Sequence, residues 1–308
     1  MVLTVFLVLF ASQSLFAQAK RSTLPKFRTL VIKTEPNTTV WIDGVRYGAT
    51  DAAGKLEITT VAPGVHTLRL RANEFKEKSQ TLTATQKGEV KIHLVKTIDQ
   101  AELAFQEAES LSATDREKAA AAYKRAITLR PKYPEAYLGL ARVQSDSGDL
   151  EAAEKSAISA HLLRPAYAEA TAVLGRIYKE NGEDDKAIAA FKRAITEGRG
   201  FQPEAFAGLG LLYKEKAEEF GGSGDFEHEN AMYTESAKNL RASLKQLSGA
   251  PDAIVLYQLL GLIYERQKKY ADAISTYEEF LRIFPNTVEA TAVRSFIVQL
   301  KRDMTTQN

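Results

Sequence analysis

The chain has 308 residues, 44% of them apolar and 26% charged, a balance that excludes general disorder and leaves room for two domains with separate cores. It has no cysteine, which rules out disulfides, a thiol nucleophile and a thiolate metal site. Its formal charge of +2 conceals an asymmetry: 14 basic against 7 acidic residues up to residue 96, and 27 against 32 beyond it. The basic surplus is too thinly spread for a nucleic-acid stripe, so no nucleic-acid partner is expected.

Val2–Phe10 is an apolar run followed by the small-x-small pattern Phe16-Ala17-Gln18-Ala19. That run falls far short of the roughly 20 residues a membrane-crossing helix needs. Residues 1–19 therefore read as an export signal, which predicts a periplasmic or cell-surface location and no transmembrane span in the mature chain. A buried apolar N-terminus and a retained anchor are the alternatives. Lys20 and Arg21 follow the run rather than precede it.

From residue 27 to 96 the apolar pattern has period two. Leu30 and Ile32, Val40 and Ile42, Leu56 and Ile58, His66, Leu68 and Leu70, and Val90, Ile92 and Leu94 each mark one face of a strand. Pro36-Asn37, Asp43-Gly44, Ala53-Gly54, Pro63-Gly64 and Lys87-Gly88 supply the turns. About six short strands in this span predict a small all-β sandwich or half-barrel. Trp41, the only tryptophan, falls on the face opposite Val40 and Ile42. It either covers that face or offers a stacking platform to a sugar. His66, on the apolar face, reads as a core or rim histidine, and His93 lies on a polar face. Glu35-Pro36-Asn37-Thr38-Thr39-Val40-Trp41-Ile42-Asp43-Gly44, Tyr47-Gly48-Ala49-Thr50 and Ala62-Pro63-Gly64-Val65-His66 together resemble the PEGA domain, a small β module of bacterial envelope proteins. The resemblance implies an envelope setting and binding rather than chemistry.

From residue 100 to 287 the period changes. Ala119, Ala153 and Ala187 stand 34 residues apart, as do Pro131 and Pro165, and Leu140 and Leu174. That spacing resembles the tetratricopeptide repeat, a helix–turn–helix unit. Five repeats are expected, marked by Tyr123 and Ala126; Tyr137, Leu140 and Ala141; Leu174, Gly175, Tyr178 and Phe191; Phe206, Leu209, Gly210 and Tyr213; and Tyr257, Leu260, Gly261, Tyr264 and Tyr277. Small residues at the eighth and twentieth positions let the two helices of a hairpin approach. Large ones fill the space between hairpins, and a late proline ends the second helix. One hairpin cannot bury its own apolar face, so the units stack into a superhelix with a concave side.

Gln144 at an eleventh position and Phe280 at a position where small residues are usual depart from the pattern. Leu209 and Leu260 stand 51 residues apart, 17 beyond one period. The surplus centres on residues 217–232, and either lengthens the first helix of the fourth hairpin or forms a mobile, solvated loop. Residues 288–304 read as a capping helix.

The repeat resemblance implies that the first helix of each hairpin lines the concave groove. Arg142, Arg176, Lys179, Leu211, Lys214, Leu262 and Arg266 then become the candidate protein-binding residues, in a groove of mixed charge with an apolar streak toward its C-terminal half. Arg142–Asp146 and Arg176–Glu180 are spaced to pair within their own helices. Leu138 and Arg142 stand where the two-carboxylate clamp of some relatives has Lys and Asn. No catalytic constellation is present, no cofactor is implied, and the acidic cluster around His228 lacks the spacing of a metal loop. The sequence therefore predicts an exported, non-enzymatic scaffold that binds a protein or peptide in its groove. An envelope polysaccharide or peptidoglycan binder, with the β domain reading the glycan and the repeats as spacer, is the alternative.

Overall fold

A computed structural model describes residues 27–306; the apolar stretch read as an export signal lies outside them. Seven strands come first: β1 (Arg28–Lys33), β2 (Thr39–Ile42), β3 (Val45–Ala49), β4 (Lys55–Val61), β5 (His66–Arg71), β6 (Lys78–Leu82) and β7 (Gly88–Lys91). They make two sheets, β4-β1-β7 and β3-β2-β5-β6. In the first sheet β1 runs antiparallel to β4 and parallel to β7. Leu30, Ile32, Val40, Ile42, Ile58, Leu68, Leu70, Leu82, Val90 and Ile92 fill the space between the sheets, as the alternation requires. Asp43 and Gly44, both at positive φ (52° and 81°), make the two-residue turn that joins β2 to β3 with the twist of a hairpin. The residues of the motif knit the module together. The Glu35 carbonyl accepts hydrogen bonds from the hydroxyls of Thr38 and Thr50, each at 2.7 Å. The buried Arg28 guanidinium donates to the carbonyls of Thr83, Gln86 and Gly64, closing one end of the sandwich.

Eleven helices follow among the described residues: α1 (Gln100–Leu111), α2 (Arg116–Leu129), α3 (Pro134–Asp146), α4 (Leu150–Leu163), α5 (Ala168–Glu180), α6 (Asp184–Glu197), α7 (Pro203–Gly222), α8 (Phe226–Leu247), α9 (Ala253–Arg266), α10 (Tyr270–Ile283) and α11 (Glu289–Thr306). Aspartates 99, 115, 149 and 225 cap α1, α2, α4 and α8 by accepting backbone N–H bonds. Prolines 134 and 203 open α3 and α7, where no helical N–H partner is lost. Helices pair in sequence as five antiparallel hairpins, and each hairpin packs on the next.

Glycine decides how closely the hairpins stack. A Cβ on Gly175 would stand 2.6 Å from the Phe191 ring, and one on Gly208, in the next hairpin, 2.3 Å from it. Phe191, 1% exposed, is thus clasped by two backbones, its own hairpin's and its neighbour's. Gly261 against Tyr277 repeats the contact within a hairpin, and Gly139 against Tyr123 the contact between hairpins. Phe280 is fully buried and packs its ring on Phe284 at 5.6 Å, so the fifth hairpin fills with aromatic bulk the space left to small residues elsewhere. Gln144 accepts a hydrogen bond from the Ser156 hydroxyl at 2.6 Å, a polar substitute for ring packing at that position.

The surplus residues of the fourth repeat do not form a loop, which corrects one of the two expectations. They lengthen both helices, α7 to 20 residues and α8 to 22, and leave only the turn Ser223-Gly224-Asp225 between them. At about 1.5 Å per residue the hairpin stands roughly 10 Å taller than its neighbours. Gly221 and Gly222 ride in the last turn of α7. The tip is held by the Phe220–His228 ring stack at 5.1 Å and by the bond between His228 Nδ1 and Asp225 at 2.7 Å. Direct contact between first helices runs from α1 through α3 and α5 to α7, and then lapses: α7 and α9 share almost none.

Candidate protein-binding groove

The first helices of the hairpins, α3, α5, α7 and α9, carry the predicted groove residues, and the structure divides them into two groups. Arg142 on α3 does not pair with Asp146, one turn away, as its spacing suggested. It reaches past α5 to Glu204 at the start of α7, at 2.7 Å. Asp146 instead faces Arg176 of α5 at 3.5 Å, while Glu180 stands 3.8 Å from Arg176 and accepts a 2.6 Å hydrogen bond from Ser145 of α3. Lys179 of α5 meets Glu215 of α7 at 2.7 Å, and Lys214 meets Glu218 one turn on at 2.7 Å. Ion pairs therefore stitch α3, α5 and α7 along the concave side. Arg176 is the loosest member: its Nε and one terminal nitrogen are buried without a hydrogen-bond acceptor. The Glu204 carboxylate, outweighing the cost of burial, holds the Arg142 guanidinium above its ordinary pKa.

Beyond α7 the character changes. Leu211 is 38% exposed, Leu262 44% and Val255 61%. A hollow of about 250 Å³ lies between α9 and α11, lined by Leu262, Glu265, Arg266, Tyr270, Phe296, Gln299, Leu300 and Asp303. Phe296 is 44% exposed although its ring leans on Tyr277 at 5.9 Å. Leu211, Leu262 and Arg266 were legible from the groove positions, and Val255 occupies a second position in the same frame. Phe296, on the capping helix, has no repeat position to betray it, whereas Glu204 holds the second position of the fourth repeat and was overlooked, its partner standing two repeats away.

Tyrosines fix the walls. Tyr123 donates its hydroxyl hydrogen to Glu109 at 2.9 Å, Tyr178 to Glu154 at 2.8 Å, Tyr257 to Glu279 at 2.9 Å and Tyr277 to Glu265 at 2.7 Å. Burial, reinforced by these carboxylates, pushes each phenol upward, Tyr178 to about 12. Glu197 shows the opposite balance. Burial would raise its pKa, but hydrogen bonds from Thr171, His161 and Arg193 more than offset this and leave it lowered.

In the β domain Trp41 is partly covered. The Arg69 guanidinium lies 4.2 Å above its ring and that of Arg71 at 5.3 Å. His66 is a satisfied rim histidine, bonded to Asp43 at 2.6 Å and to the Ala62 carbonyl at 2.9 Å. His93 is exposed. Among the described residues no three His, Asp or Glu side chains stand close enough to hold a metal ion, and no helix is long and apolar enough to cross a membrane.

A family model of the PEGA domain matches residues 27–98. Tetratricopeptide-repeat models match residues 110–157, 146–201 and 255–287; the lengthened fourth hairpin falls between the last two. The sequence matches no curated protein. Among solved structures, the MamA protein is 22% identical, with a TM-score of 0.43 and coverage of 61% of this chain and 93% of its own. A thermophilic TPR protein of Thermus thermophilus is 18% identical, with a TM-score of 0.47 and coverage of 64% and 99%. The TPR domain of Arabidopsis OM64 is 19% identical, with a TM-score of 0.36 and coverage of 38% and 96%. The chain is a tetratricopeptide-repeat protein with a PEGA domain ahead of its repeats, and its helical array belongs to a class of protein-interaction scaffolds.

Proposed function

We propose that this chain is an exported, non-enzymatic adaptor of the bacterial cell envelope that holds a peptide segment of a protein partner along the C-terminal half of its concave face. One observation carries the location of the seat. From α3 to α7 the groove charges are matched to one another, whereas Leu211, Val255, Leu262 and Phe296 are partly exposed, the last two in the hollow that Arg266 also lines. Side chains of that kind gain free energy when a partner covers them. A ligand over α3 and α5 would first have to displace existing ion pairs. The partner segment suited to this seat presents two or three apolar side chains.

Export rests on Val2–Phe10 and Phe16-Ala17-Gln18-Ala19, and the PEGA domain supports an envelope setting. An envelope glycan read by the β domain is the weaker reading, because Arg69 already occupies a face of the Trp41 ring that a sugar would need. The test is affinity capture from envelope extract with the full chain beside its Leu262→Glu and Trp41→Ala variants. A protein retained by the parent and by Trp41→Ala, but lost from Leu262→Glu, is the expected result. Loss with Trp41→Ala alone, together with retention on cell-wall glycan, would transfer the function to the β domain. Sequencing the N-terminus of the envelope protein tests export, with a start just beyond Ala19 expected.

A further inference from the structure

The β domain touches the helical array at two places far apart in the chain. The first is α1. Arg71 pairs with Glu109 at 2.8 Å and lies 4.6 Å over the Phe105 ring. Gln106 accepts from the Glu74 N–H at 2.7 Å and donates to the Phe75 carbonyl at 2.7 Å. The second is the link between α8 and α9, nearly the whole array away. There the Thr60 hydroxyl donates to the Gly249 carbonyl at 3.0 Å, and Ser248 donates to the Thr60 carbonyl at 3.5 Å. Val45 is buried in one cluster with Leu247 and Ala250, and Phe27 and Tyr47 pack against that cluster. Burial at this junction pushes the Tyr47 phenol up to about 12, against the opposing bond with Ser248. Beside it lies a cleft of about 330 Å³ lined by Ile42, Tyr47, Phe201, Lys245 and Ser248.

We propose that the β domain is a clasp that joins the first hairpin to the link behind the fourth and thereby sets the span of the concave face between them. Stacked repeats touch mainly their neighbours, so small rotations accumulate and the array bends easily. A body bound to both ends of four hairpins removes that freedom. The two attachments differ in kind. The α1 contact is held by a tether of a few residues, Lys96 to Gln100, so it re-forms as soon as it breaks. The contact with the α8–α9 link lies 188 residues along the chain from Thr60 and rests on a few side chains. Of the two attachments it is therefore the one that gives way first when the contact is weakened, and the clasp opens at Gly249. That glycine is there for fit. Its backbone is not left-handed, yet a Cβ on it would stand 2.1 Å from the Thr60 Cβ. Any side chain at residue 249 wedges the two domains apart without straining the link itself.

The chain's lack of cysteine allows a direct test. Spin labels on Lys87→Cys and Lys269→Cys, both exposed positions, report the separation of the β domain from the fifth hairpin. A narrow single distribution is expected in the parent. Gly249→Val should broaden it and move it to longer separations with far-ultraviolet circular dichroism unchanged. Thr60→Gly combined with Gly249→Ala, which exchanges the space, should restore the narrow distribution. Val45→Ser gives the same loosening by removing apolar contact, and stands in should Gly249→Val not fold. A parent distribution already broad, or one that neither Gly249→Val nor Val45→Ser alters, overturns the proposal.

Discussion

The concave face is built twice on one frame, with opposite results. Over α3, α5 and α7 the groove positions hold Arg142, Asp146, Arg176, Lys179, Glu204 and Glu215, which neutralise one another across helices. Over α7, α9 and α11 equivalent surface is Leu211, Val255, Leu262 and Phe296, left open to water. Half-exposed ion pairs are worth about 0–1 kcal/mol each. They tie neighbouring hairpins together at little gain in stability and make that surface unattractive to a ligand, whose own charges would have to compete. Exposed apolar groups cost nothing to uncover. The contrast shows that position in the repeat says where a side chain points, while residues of other hairpins decide whether its charge is already paired.

Both halves rest on the same packing, and the largest expected effect comes from breaking it. Phe191→Ala empties the space that Gly175 and Gly208 close upon, and should cost about 3–5 kcal/mol in urea unfolding. A loss under about 1 kcal/mol would mean that the hairpins are not held this way. Next in size is the double change Leu211→Glu with Leu262→Glu. It should weaken partner binding at least a hundredfold, about 2.7 kcal/mol, while stability falls by only about 1 kcal/mol, because both leucines are already partly exposed. Equal loss of stability would mean that these leucines are structural.

Alkaline titration strikes both halves together. Burial pushes Tyr167, 8% exposed, from 10.0 to about 12. The folded state therefore favours the neutral phenol, so stability is intact below pH 10 and declines as pH rises toward 12, by on the order of 1–3 kcal/mol for this residue. Melting temperatures measured from pH 9 to 12 should fall only above 10; a steady fall from pH 9 would contradict the assignment. Smallest is Arg142→Ala, expected to cost at most about 1 kcal/mol, since its side chain is 41% exposed, and to leave partner binding within about twofold. A large binding loss there would erase the distinction between the two halves.

Much of this was legible in the sequence, for identifiable reasons. Strands with one fully packed face, such as β1 and β5, announce themselves by alternation. β6 does not, because as an edge strand only its Leu82 is buried. The 34-residue spacing of alanines and prolines is visible because every hairpin solves the same close-packing problem. The length of α7 and α8 was left open because Gly221, Gly222 and Gly224 resemble loop residues, although two of them sit in the final turn of α7. The candidate groove residues were chosen by position, and of the two pairs their spacing suggested, Arg176 with Glu180 is present and Arg142 with Asp146 is not. A spacing of four residues suggests Arg142 with Asp146, and nothing local points to Glu204, 62 residues away.

Site-specific photo-crosslinking in the envelope tests the central claim most directly. A photoreactive residue placed in turn at positions 142, 176, 211 and 262 would show which half of the concave face the partner covers. The account predicts adducts to one protein from 211 and 262, with none from 142 and 176. Adducts confined to 142 and 176 would contradict it.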